Sequence, residues 1–128
     1  NLAVFSNRST LAEAINNVFG SGNTALMAGL ADSMRLHQKS LLEQRVPPAA
    51  ASLHKLLLGY TELVAATYEQ MTRYNEDPVK ATTALYQLEQ IDRKYYPLIE
   101  QEVDRLQLLS AQLKGAVSDE TEIVHTHN

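Results

Sequence analysis

Cysteine and tryptophan are absent from the 128 residues, and phenylalanine occurs only twice. Without cysteine there is no disulfide, no thiolate nucleophile, no thiolate zinc site and no Cys-x-x-Cys-His haem attachment, and the redox compartment is left undecided. Long apolar runs are missing too: no stretch approaches the eighteen residues that would predict a membrane span. Positive charge is scarce and dispersed. The eleven Lys and Arg are scattered singly against fifteen Asp and Glu, for a net charge of -4, which gives no electrostatic footprint for nucleic acid.

Glycine (five) and proline (four) are few enough to act as punctuation. What they separate is helical in period. The chain is long enough to bury a core unaided, so one domain is expected over residues 1–115, followed by a mobile tail over 116–128 where the apolar pattern fades. Thr10, with Glu13 three residues on, has the form of a capping box for a short helix ending at Gly20. A second helix is expected from Asn23 or Thr24 to about Arg45. Its apolar face is Leu26, Leu30, Met34, His37 and Leu41.

Pro47 and Pro48 then turn the chain. The next stripe, through Leu53, Leu56, Leu57, Tyr60, Leu63, Val64, Thr67, Tyr68 and Met71, is the clearest amphipathic helix in the sequence. Asp77 and Pro78 open a fourth, with Leu85, Leu88, Ile91, Tyr95, Ile99, Val103, Leu106, Leu109 and Leu113 on its face and Gly115 as its end. Pro97 inside this helix predicts a kink. No segment alternates with period two. The expected fold class is all-α: an up-and-down antiparallel bundle of about four helices, with a short first helix and a long last one.

Chemical motifs are few. Gly20 to Ala25, "GSGNTA", matches a dinucleotide fingerprint in letters only, because the motif needs a strand before it and a helix precedes it here. His37 and His54 flank the Pro-Pro turn at different depths, too far apart in register to ligate one metal. A Glu three residues before a His occurs at Glu122 and His125 alone, so the second half of a di-iron bundle site is missing. His125 and His127 form a terminal His-x-His that reads as an exposed tail. The expectation is a protein with no catalytic residues, no metal site and no cofactor.

Two functional readings follow. The first is a non-enzymatic bundle acting through protein–protein contact, with another helical protein or a second copy as partner; tyrosine enrichment at interfaces singles out Lys94, Tyr95, Tyr96 and Pro97. The second is an extracytoplasmic ligand-binding or sensor bundle with a small molecule between the helices, in a pocket of Met34, His37, Tyr60, Leu63, Tyr95 and Ile99. The chain opens on Asn1, so an extracytoplasmic location behind a removed signal or anchor is held as an expectation, with the compartment itself unknown.

Overall fold

A computed structural model describes the backbone of residues 8–126 and the side chains of residues 9–115. Four α-helices account for nearly all of it: α1 (Arg8–Ser21), α2 (Ala25–Glu43), α3 (Ala51–Met71) and α4 (Pro78–Thr126), with one 3-10 turn at Pro48–Ala50. They run up and down. The expected all-α antiparallel bundle is the fold, and no strand occurs among the described residues.

The connections follow from local chemistry. Gly22 takes a left-handed conformation (φ +71°) between α1 and α2, which glycine adopts without a Cβ clash. The Asn23 side chain accepts from the Ala25 amide at 3.1 Å, whereas Thr24, at the N-cap itself, makes no side-chain cap bond. At the start of α4 the Asp77 carboxylate caps the Lys80 amide at 3.1 Å, ahead of a proline whose missing N–H costs nothing in a first turn. Thr10 is not a cap, because α1 already starts at Arg8.

The two loops at one end are tied together. The Asn75 side-chain amide donates to the Gly22 carbonyl at 3.0 Å, and the Phe19 and Tyr74 rings meet edge to face at 5.1 Å. Just inside this end lie Val18, Met27 and Met71, all fully buried. Helix α3 is the central element, packed against both α2 and α4. It is therefore buried on more than one face, and Thr61 and Ala65 sit in the interior beside Tyr60, Val64 and Tyr68. The buried threonines satisfy their hydroxyls on their own helix, Thr61 donating to the Leu57 carbonyl and Thr67 to the Val64 carbonyl.

On α2 the buried line is Met27, Ala31 and Met34, one position round from the expected Leu26 and Leu30. Small Ala31 lies at the centre of that line, with the bulkier Leu26 and Leu30 packed at its flanks. An ion-pair network reinforces this seam. The Arg35 guanidinium takes Glu69 with two hydrogen bonds, at 3.1 and 2.6 Å, and reaches Glu62 as well. Glu69, four residues before Arg73 on α3, thus makes its hydrogen bonds across to α2.

The far end is asymmetric. At 1.5 Å per residue α3 is roughly 32 Å long and α4 roughly 73 Å. Arg105 donates to the Ala49 carbonyl at 2.6 Å, so α4 is level with the beginning of α3 at that point and then continues for about 30 Å. Neither proline nor glycine stops it. Pro97 is exposed, so the carbonyl left without a helical donor can turn to water, and helical backbone also passes through Gly115. The side chains of 116–128, the expected mobile tail, lie outside the described residues.

Candidate functional site

Four helices converge on one small cavity of about 170 Å³. Helix α3 supplies Tyr60 and Tyr68, two turns apart on one face, and α4 supplies Asp92 and Tyr96, one turn apart. Met34 of α2 and Leu11 and Ile15 of α1 close the remaining walls. The Tyr60 hydroxyl donates to Asp92 Oδ1 at 2.8 Å and lies 3.4 Å from the Tyr96 hydroxyl. A phenol has one hydrogen; the shorter contact takes it, and Tyr60 is the acceptor toward Tyr96.

Burial first, then the Tyr96 hydrogen bond and Asp92, push the Tyr60 hydroxyl well above the ordinary tyrosine range. Burial also raises Tyr68, helped by the Asp92 charge. Both phenols are accordingly neutral donors at any physiological pH. The site is an apolar chamber carrying one carboxylate and three tyrosine rings.

A second concavity is wider and shallower. It is an open groove of about 490 Å³ along the seam of α3 and α4, lined by Leu63, Gln70, Gln90, Ile91, Lys94 and Tyr95 among others. Tyr95 crosses from α4 toward Gly59: a Cβ at that glycine would come within 3.1 Å of the Tyr95 hydroxyl oxygen. Gly59 therefore makes room for the phenol, and the Lys94 ammonium lies 5.7 Å from the centre of the same ring.

The residues singled out by sequence are divided among these places. Met34 and Tyr60 line the chamber, while Leu63 and Tyr95 line the groove. Ile99 is buried and His37 half-buried, and neither lines chamber or groove. Of the neighbouring quartet, Lys94 and Pro97 are exposed, Lys94 and Tyr95 line the groove and Tyr96 lines the chamber. His54 sits at the α2–α3 turn beside Leu41 and Leu57. Among the described residues no group of three acidic or histidine side chains is arranged to hold a metal ion, and no helix is long and apolar enough to cross a membrane.

Of the residues that line the chamber, the pocket expected from sequence contained only Met34 and Tyr60, and the charged residue it missed is Asp92. Its signal was available. An aspartate at 92 continues the three- and four-residue steps of Leu85, Leu88, Tyr96 and Ile99, which puts an acid inside an apolar stripe, and a polar residue at a core position is more informative than an apolar one at the surface.

Compared with protein families, with curated proteins and with solved structures, the chain finds no match.

Proposed function

We infer that this chain is a non-enzymatic helical module that acts by contact, and that its partner is a second copy docked on the far half of α4. One observation carries the reading. The stripe by which α4 lies on α3, through Leu88, Ile99 and Val103, continues through Leu106, Leu109 and Leu113 after α3 has ended. Leu113 is 60% exposed. A helix with no tertiary support is marginal in water at this length, so an apolar stripe that outruns its own bundle gains stability from a further helix.

The spacing of the stripe fits the same helix reversed. In an antiparallel pair crossing at Leu109, the helical rise sets Leu113 of one copy between Val103 and Leu106 of the other. The contact is self-complementary without any residue from the rest of the bundle.

Sedimentation velocity over a dilution series tests this. The wild-type chain should dissociate from dimer to monomer on dilution, and Leu109→Glu with Leu113→Glu should be monomeric throughout with the thermal midpoint of the bundle preserved. A wild-type monomer at the highest concentration, or a double variant that still dimerises, overturns the reading.

A further inference from the structure

We propose that the hollow at the α2–α3 turn is a binding site for a compact carboxylic acid, with Arg45 and His54 holding the carboxylate and the surrounding apolar side chains holding its hydrocarbon body. Size sets the first limit. A cavity of about 150 Å³ admits benzene, and this hollow, beside Pro47, is about 220 Å³, which suits one ring or a short branched chain and no long one.

Charge sets the sign. Arg45 and His54 line the hollow with Gln44, and no aspartate or glutamate does, in a chain that carries fifteen of them. Arg35, Arg93 and Arg105 each sit on a carboxylate, whereas the Arg45 and His54 side chains enter no ion pair or hydrogen bond among the described residues. Glu43 is exposed and outside the lining. Arg105 reaches the nearby Ala49 carbonyl from α4 but brings its own acid, Glu102. The two helix ends at the turn carry opposite partial charges and offset each other, so the side chains decide the sign.

The donors and walls narrow the anion. A guanidinium presents two parallel N–H groups that match a carboxylate, and an imidazole offers at least one N–H in either protonation state. One permanent positive charge balances a carboxylate better than a phosphate monoester, which carries nearly two negative charges. Leu41, Val46, Leu53 and Leu57 make much of the remaining wall; an inorganic anion would gain nothing from them, while carbon attached to the carboxylate is taken out of water there. No residue of α4 lines the hollow, so the site does not depend on the leucines of that helix.

The test uses the full chain with its valine methyls labelled with carbon-13. Val46 lines the hollow, whereas Val18 and Val64 are buried in the core and serve as internal references. The probes are sodium benzoate, its neutral analogue benzyl alcohol and the cation benzylammonium, at matched ionic strength and neutral pH. The expected result is a saturable shift of the Val46 methyls, with benzoate bound at least about tenfold more tightly than the alcohol, as a charge-assisted hydrogen bond implies, and benzylammonium bound no better than the alcohol. Arg45 is exposed, so Arg45→Gln should keep the thermal midpoint of the bundle and remove the preference for benzoate.

Equal binding of benzoate and the alcohol would reduce the hollow to an apolar dimple and overturn the proposal. Val46 signals that move no more than those of Val18 and Val64 would do the same, as would an Arg45→Gln chain that still prefers the acid. The comparison of three ligands on the unmodified protein decides the matter even if the variant folds poorly.

Discussion

Arg35→Met removes a guanidinium while keeping most of the aliphatic stem, and so isolates the ion-pair network across the α2–α3 seam. The wild-type geometry is favourable: two bonds to Glu69 at 3.1 and 2.6 Å and a third to Glu62. Bidentate pairing of this kind outperforms a single contact. The setting is less so, since the Arg35 side chain is 34% exposed and the two carboxylates 51% and 47%. Solvent screening holds such pairs to about 1 kcal/mol at most. For a domain of this size that is a fall in midpoint of roughly 3–5 °C. The pH dependence separates this account from simple loss of side-chain packing. Gln38 first, then Arg35, hold the Glu62 carboxyl below its usual range, and Arg35 holds Glu69 below it. A carboxylate depressed in the folded state stabilises above its unfolded pKa, and that contribution is lost as the pH falls through the folded value. Thermal unfolding followed by far-UV circular dichroism should therefore show the gap between wild type and Arg35→Met at neutral pH, narrowing below pH 4.5, and closing once both acids are protonated. No gap at neutral pH would refute the network's contribution. A gap unchanged in acid would assign it to the stem.

Two further substitutions probe the chamber and the tied loops. Tyr60→Phe keeps the ring and deletes the donor that meets Asp92 at 2.8 Å; losing one half of a largely buried hydrogen bond to a charged group should cost about 1–3 kcal/mol in urea unfolding, and a change within error would mean that water replaces the phenol without penalty. Gly22→Ala places a Cβ 2.7 Å from the Asn75 side-chain oxygen in a backbone with φ +71°. Left-handed strain alone costs about 1–2 kcal/mol, so a comparable loss of stability is expected, with faster amide exchange in the Gly22 and Asn75 loops; a neutral substitution would show that this turn relaxes freely.

The elements whose length and ends are set by local chemistry were readable from sequence. Asp77 with Pro78, the Pro47–Pro48 turn and the apolar stripe of α3 each combine a terminus signal with a 3.6-residue period, and the helices lie where those signals put them, to within a few residues. Gly115 was misread because glycine ends a helix only where the chain has reason to turn. Glycine permits a turn without imposing one, and here the helical backbone continues through it. Thr61 was passed over for a different reason: it returns its hydroxyl to the Leu57 and Leu58 carbonyls and so enters the core as if apolar, which a pattern based on residue type cannot show. The Arg35 network was illegible because its partners lie 27 and 34 positions away, a pairing decided by the register of two helices and not by either helix alone.

The site was half legible for the same physical reason. Periodicity along one helix could place Met34, Tyr60 and Tyr95 on inward faces, yet it could not say that Tyr60 and Tyr95 look into different spaces. That division comes from α3 being the middle helix: Tyr60 turns toward the side that α1 and α2 cover, and Leu63, three residues on, turns to the open side shared with Tyr95. A central helix presents both a closed and an open seam to α4. On the closed seam the Tyr60 hydroxyl donates to Asp92 beside Tyr96; on the open seam Lys94 and the glutamines line the groove. The exposed leucines lie elsewhere again, at Leu108 and Leu113 beyond Arg105, where α4 has passed the beginning of α3, while Leu106 and Leu109 are half-buried. The chamber and the leucine stripe thus fall on different stretches of the same helix, and Leu109→Glu with Leu113→Glu should leave the surroundings of Met34 unchanged.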